Sequence, residues 1–318
     1  MITLDGSHGE GGGALVRVAL ALATLTGQEL HITNIRANRE SPGLKAQHLA
    51  GIETLKNWCK STTNDIQLGS TELHYKPGSI SKGIFHCDIG TAGSITLLLQ
   101  TLLPPALFAP GKVTFKIKGG TCGKGQASVD YFQHVLLPYL ERFAAIEFKI
   151  LKRGYYPTGG GEVHITITPP HSYQTSKQDK SWNNIIQTLQ TSIPPFNLNE
   201  ADDLLYIKGF INCSQVLAEK EVAERIRRAA QMSLQSFNVP INIAVEYAST
   251  TSIGGEIFLY ALRGKNNTYN TKNPQIIAAS GLLEKSISSE ELGKKVAHQL
   301  KNNLTSNATV DEHLCDQL

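Results

Sequence analysis

The chain has 318 residues, 41% of them hydrophobic, and a formal net charge of +3. That length suits one large domain or two modest ones with a proper core. The charge is too weak to argue for nucleic acid by itself, so any grip on a polyanion must come from local clusters. No apolar run approaches the roughly 18 residues of a membrane span. The start, from Met1 to Gly6, has neither the basic stretch nor the cleavage site of a leader. Five scattered cysteines (Cys59, Cys87, Cys122, Cys213, Cys315) form no C-x-x-C pair. An odd, unpaired set argues against a disulfide framework or zinc site and fits a reducing, cytoplasmic setting.

In chain order, the first informative feature is a repeat. Residues 9–36 give a Gly-rich loop, an apolar helical stretch and an alternating strand at 30–35. Residues 90–120 give the same succession, with a helix from Ser94 and a strand at 113–117. A second amphipathic helix follows each: 42–58, with Leu44, Leu49, Ile52 and Leu55 on one face, and 127–143, with Val129, Phe132, Val135, Leu136 and Leu140. The sequence thus predicts a duplicated helix-and-sheet unit, offset by about 80 residues. The run Arg153-Gly-Tyr-Tyr-Pro-Thr-Gly-Gly-Gly161 opens a further strand at 162–168. Residues 171–200, rich in Ser, Thr, Gln and Asn, read as a loop or linker. Then come a strand (204–212), a helix (218–236), strands at 242–247 and 256–262, a polar turn (266–273) and a helix (289–300). The expected division is a main α/β domain at 1–175, a smaller inserted α/β domain at 176–275, and a return to the main domain at 276–318.

Gly9-Glu-Gly-Gly-Gly13 lies between a short strand and a helix. Glycines there let backbone N–H groups approach an anion at a helix N-terminus. Glu10 suits a divalent metal that in turn holds phosphates; equally, an acidic residue at this position simply favours the helix dipole. The loop also fits the dinucleotide pattern G-x-G-x-x-A, with Glu29 twenty residues on. That acid should end the second strand, yet Glu29 precedes it, and arginines follow the strand instead. No G-x-x-x-x-G-K-[ST] motif occurs. The run from Ile35 to His48 (IRANRESPGLKAQH) places Arg36, Arg39, Lys45, Gln47 and His48 around a turn and a helix start. Arginines grip phosphate bidentately, although charged turns are commonly just solvated. Arg17 interrupts the apolar stretch of the first helix, so it pairs in the interior or points to a site. Ile89–Thr101 offers the hydroxyls of Thr91 and Ser94 at a helix start, with Gln100 further along. The histidines show no metal-ligand spacing, and there is no G-x-S-x-G or evident triad.

Taken together, DGSHGEGGGALVR, IRANRESPGLKAQH, GTAGSITLLLQT, KGGT, RGYYPTGGG and, more weakly, DEHLCDQL resemble the RNA 3'-terminal phosphate cyclase family. The likeness is strong over 1–170, weak over the insert and moderate over 276–318. It implies repeated α/β units of helices packed on four-stranded sheets, an inserted smaller α/β domain, and a third repeat split by the insert. It also implies an ATP-dependent ligase of RNA processing that turns an RNA 3'-phosphate into a 2',3'-cyclic end, through enzyme-AMP and RNA-AMP intermediates. By position, the resemblance assigns a divalent ion (Mg or Mn) to Glu10. It assigns phosphates of ATP or of the RNA end to Arg17, Arg36, Arg39 and Gln47. The nucleotide falls to Gln100, Tyr131 and the run His313, Leu314, Cys315, Asp316, Gln317. His313 stands where many relatives carry an aromatic residue, and the family's nucleophilic histidine would lie beyond Leu318. Two further readings fit the residues: a non-catalytic binder of nucleotide or RNA ends, and a transferase acting on a small phosphorylated metabolite. A dimer is compatible with the sequence.

Overall fold

A computed structural model describes residues 1–170 and 182–317. The fold is mixed α and β, as expected. It divides into two compact units, one of Met1–Gly119, Phe143–Leu151 and Glu162–Pro194, the other of Gly120–Arg142, Lys152–Gly161 and Pro195–Leu318.

The first unit contains two sheets of one design. In the first, β1 (Ile2–Asp5), β2 (Leu30–Thr33), β3 (Thr62–Thr63) and β4 (Leu73–Lys76) are ordered β1-β2-β4-β3. β1 and β2 are parallel, and β4 runs antiparallel to β2 and β3. The second, of β5 (Gly83–Asp88), β6 (Val113–Gly119), β7 (Ala145–Lys152) and β8 (Gly161–Thr168), is ordered β5-β6-β8-β7, again with a parallel first pair. The helices follow suit: α1 (Ala14–Thr26) lies between β1 and β2 as α3 (Ile95–Ala106) lies between β5 and β6. The duplication read from the sequence is therefore a duplication of topology. Alternation explains the strands: Leu30, Ile32, Leu73 and Tyr75 are buried, while His31, Thr33, His74 and Lys76 face outward. α1 stops at Gly27, which takes the left-handed conformation (φ +68°) that other residues resist. The Ser94 hydroxyl caps α3 by accepting from the Leu97 N–H at 3.2 Å. α2 (Ala46–Cys59) packs against α3, where Gly51 lets the helices close on Leu98.

Local chemistry shifts several boundaries. α2 begins at Ala46, not at 42, because Gly43 takes φ +78° and Leu44 is tied to residues 69 and 70 by backbone bonds of 2.9 Å. The helix expected over 127–143 is broken into Val129–Tyr131, a wide turn at Phe132–Leu136, and Leu137–Leu140, together called α4. Pro138 has no N–H to return to residue 134, so the hydrogen-bond ladder slips there. The expected linker includes a helix, α5 (Trp182–Ser192), and residues 171–181 lie outside the described residues.

The second unit is built on β9 (Asp203–Ser214), β10 (Ile241–Ala248), β11 (Gly255–Lys265), β12 (Thr268–Tyr269) and β13 (Gln275–Leu282). β10 lies parallel to β9, and β11 is antiparallel to both β9 and β13. α6 (Val222–Leu234) and α7 (Ser289–Thr305) cover one face with Ile226, Ala230, Leu234, Val296 and Leu300. Tyr131, Val135 and Tyr139 of α4, with Leu314, cover the other. β11 is thus buried on both sides, Ile257, Leu259 and Ala261 facing the aliphatic layer and Phe258, Tyr260 and Leu262 the aromatic one. The polar run 266–273, read as a turn before a return to the main domain at 276, is a hairpin holding β12. The strand after it, β13, stays in this sheet beside β11, and α7 packs on α6.

A charged knot lies inside this unit. Arg153 grips both oxygens of Asp130, through Nη1 and through Nη2 at 3.0 Å, and also reaches Glu246 at 2.8 Å. The Asn212 amide adds a donor to Asp130, and the Tyr155 hydroxyl donates to Asn212 at 2.8 Å. Glu256, 2% exposed, lies beside them with Oε2 unbonded. Burial first, and the Asp130 charge second, push its carboxyl up to about 8. A folded-state value above the ordinary 4.5 means that the native form holds the proton more tightly. The contribution is full below about 4.5 and is lost as the pH rises through about 8. Urea unfolding of this chain should therefore show stability falling across that window, by up to about 1.4 kcal/mol per pH unit. Glu256→Gln should flatten the slope and be the more stable protein at pH 8.5.

Candidate functional site

In the first unit, the Gly-rich loop and the Ile35–His48 run come together. Gly9 and Gly11 adopt positive φ (62° and 56°), which turns the chain from β1 into α1. The Asn38 amide holds the loop by donating to the Ser7 carbonyl at 3.0 Å. Arg39 Nη2 donates to Glu10 Oε2 at 2.8 Å, and its guanidinium covers Gly12. The Gly-rich loop and the arginine turn are therefore held side by side by these two bonds.

Arg36 follows β2 and takes φ +54°, a left-handed conformation that a bulky side chain seldom adopts. From there Nη1 donates to the carbonyls of Ser41 (2.6 Å) and Gly43 (3.0 Å). Arg17, 9% exposed on α1, donates through Nε to Gln100 Oε1 on α3 at 2.7 Å. Burial and the nearby Arg36 charge lower its affinity for its proton, to about 10. Neither Arg17 nor Arg36 meets a carboxylate among the described residues. Both cations are positioned by neutral acceptors, so their charge is not cancelled and remains available to an anion.

Two neighbours complete the cluster. The Gln47 amide oxygen accepts from the Ser94 N–H at 3.2 Å, linking the arginine run to the start of α3 and the second Gly-rich loop. His48 is 3% exposed; its Nδ1 accepts from the Lys45 N–H at 3.0 Å. That bond leaves the proton on Nε2, which has no partner and lies against Gly13 and Arg17. Burial, then the charges of Arg17 and Arg36, depress the imidazole to about 3, so it stays neutral. Glu10, Arg17, Arg36, Arg39, Gln47 and Gln100 are thus brought into one neighbourhood. The sequence grouped His48 with the arginines by position alone; its unpartnered Nε2 follows from the Lys45 N–H bond to Nδ1.

The remaining predicted residues lie in the second unit. Tyr131 is 3% exposed, and its hydroxyl donates to Asp311 Oδ1 at 2.5 Å. Asp311 caps α8 (Glu312–Cys315) by accepting from the Leu314 N–H, and its other oxygen accepts from the Ala278 N–H, both at 2.9 Å. Leu314 is fully buried, whereas His313, Cys315, Asp316 and Gln317 are exposed. The His313 ring meets Tyr131 edge-on, with centroids 5.8 Å apart. Tyr131 therefore supports the short helix. Asp311, the first residue of the DEHLCDQL run, ties that helix to β13.

A family model described as RNA 3'-terminal phosphate cyclase matches residues 8–318. The chain belongs to the RNA 3'-terminal phosphate cyclase family. It is similar to the RNA 3'-terminal phosphate cyclase of Archaeoglobus fulgidus, at 36% identity over all of this chain and 86% of the relative. The Methanosarcina barkeri enzyme of that name is 38% identical, over all of this chain and 85% of its own length. A Nitrosospira multiformis relative of the same name is 34% identical, with 82% covered. No helix among the described residues is long and apolar enough to cross a membrane.

Gly43 gives this cyclase-family cluster a direct structural test. A Cβ there would lie 2.1 Å from the Gly69 carbonyl oxygen, and φ is already +78°. Gly43→Ala should destabilise the protein by on the order of 3 kcal/mol, read as a lower thermal midpoint. It should also loosen Arg36, because the Gly43 carbonyl accepts from that guanidinium.

Proposed function

We propose that this chain carries out the reaction its family is named for, ATP-dependent conversion of an RNA 3'-phosphate to a 2',3'-cyclic phosphate. The observation that carries the reading is the pair Arg17 and Arg36, cations positioned by neutral acceptors beside a glycine loop at a helix start. Such a group binds multiply charged phosphate and stabilises charge that grows during phosphoryl transfer.

In this reading AMP is first joined to the protein with release of pyrophosphate, then passes to the RNA 3'-phosphate. The adjacent 2'-hydroxyl attacks that phosphorus, loses its proton and expels AMP. Arg17 and Arg36 hold phosphate oxygens, Arg39 joins them when Glu10 turns away, and the neutral His48 donates from Nε2. Gln100 orients Arg17, and Gln47 holds the start of α3. For the nucleotide itself, His313–Gln317 and Tyr131 rest on the resemblance.

The metal fits the residues present. The Glu10 side chain is 88% exposed and, among the described residues, bonded only by Arg39 through Oε2, so Oε1 would be open to hold Mg2+ or Mn2+. Bound there, the ion would neutralise phosphate charge.

The test uses an RNA oligonucleotide ending in a 3'-phosphate, with ATP labelled at the α-phosphate and Mg2+. The expected result is an end resistant to phosphatase, formed with release of labelled AMP. Arg36→Ala should lower the rate by about 100-fold or more, the scale of losing a charge-stabilising donor. Saturable binding of ATP and RNA ends without conversion would favour the binding-protein reading instead.

A further inference from the structure

A second constellation of polar side chains lies on the outer face of the β1-β2-β4-β3 sheet. His31 and His74 are direct cross-strand partners in the β2–β4 register. Glu72 precedes His74 by two residues, so strand alternation turns it to the same side. Leu30, Ile32, Leu73 and Tyr75 point inward and fix that orientation. The two imidazoles stack with centroids 3.9 Å apart. Both Nε2 atoms converge on a single oxygen, Glu72 Oε1, at 2.7 Å from His31 and 3.2 Å from His74. The donor atoms all lie within 4.8 Å of one another.

We propose that His31, Glu72 and His74 form a binding site for a divalent transition-metal ion of the zinc class. Two imidazoles and one carboxylate are the donors that zinc and its neighbours take, and hard ions such as Mg2+ do not seek imidazole. In a tetrahedral zinc site the ligand atoms stand roughly 3.3 Å apart, given bonds near 2.0–2.1 Å. The observed 3.2 Å already meets that spacing, and the 2.7 Å contact has only to open slightly. The side chains have room for this: Glu72 and His74 are 54% and 50% exposed, His31 20%. A water would fill the fourth position. Without metal, each Nε2 carries its proton and donates to Glu72. With metal, each imidazole binds through the Nε2 lone pair and carries the proton on Nδ1, so no net proton is released from neutral rings. The ion would clamp β2 to β4 three residues before the Asn34–Arg36 turn.

The experiment measures zinc binding calorimetrically to the untagged, chelator-treated chain at pH 7.5, and takes the visible spectrum with Co2+. The expected result is one saturable zinc site and an intense tetrahedral cobalt band. His31→Thr and His74→Thr, which suit exposed strand positions, should each weaken the site by at least about 10-fold. Glu10→Gln should leave it unchanged, separating it from the proposed phosphate-metal site. Zinc should raise the thermal midpoint of the wild-type chain but not of the threonine variants, whose metal-free midpoints and circular dichroism report their folding. Absence of saturable binding in the wild type, or equal binding in the double variant His31→Thr/His74→Thr, would overturn the proposal.

Discussion

The contact from Arg17 to Gln100 is where the two halves of the duplication meet in chemistry. One residue lies on the first helix of the first repeat, the other on the matching helix of the second. A guanidinium buried among apolar helices is costly unless its donors are met. A carboxylate partner would meet them and also cancel the charge. An amide oxygen meets one donor and leaves the charge intact. Arg36 is treated in the same way, by backbone carbonyls of its own loop. Burial first, and then this positive field, hold the His48 imidazole neutral. The second unit makes the opposite choice: Arg153 is saturated by Asp130 and Glu246, which suits a structural core and leaves nothing for a ligand.

Much of this was legible in the sequence because it rests on short-range rules. Alternation located β2 and β6, helical period located α2, and the recurrence of loop, helix and strand predicted a duplicated helix-and-sheet unit. Glu10, Arg36 and Arg39 could be grouped from the sequence because glycines and arginines flank adjacent elements at one end of a sheet. What stayed hidden depended on contacts distant in sequence. Asp311 is 180 residues from Tyr131, and nothing in the local pattern marks it as the cap that bonds to that tyrosine. The start of α2 was misplaced because Gly43 is fixed by residues 69 and 70. The polar run 266–273 suggested a domain edge, yet pairing of β13 with β11 decides where that chain goes.

Backbone strain is concentrated where the arginines are. Asn34 and Arg36 both take positive φ within three residues, and the glycines at 9, 11 and 43 do so around them. These conformations persist because the turn is over-determined, by the Ile35 bonds to Thr71 and Gly43 and by the Arg36 contacts to Ser41 and Gly43. The arrangement places rigid donors before any ligand arrives, which lowers the ordering cost of binding.

β11 has an evolutionary corollary. Most half-buried strands resist a one-residue slip because it would drag polar side chains into the core. Between Ile257 and Leu262 the Tyr260 hydroxyl is the one polar side-chain group, so hydrophobicity does little to hold its frame. Side-chain shape does, with aliphatics toward α6 and α7 and rings toward α4, together with the charged residues Glu256 and Arg263 at the two ends. Relatives of this chain should therefore accept exchanges of size-matched apolar residues along β11, while a single codon gained or lost within it would interchange two dissimilar interiors at once.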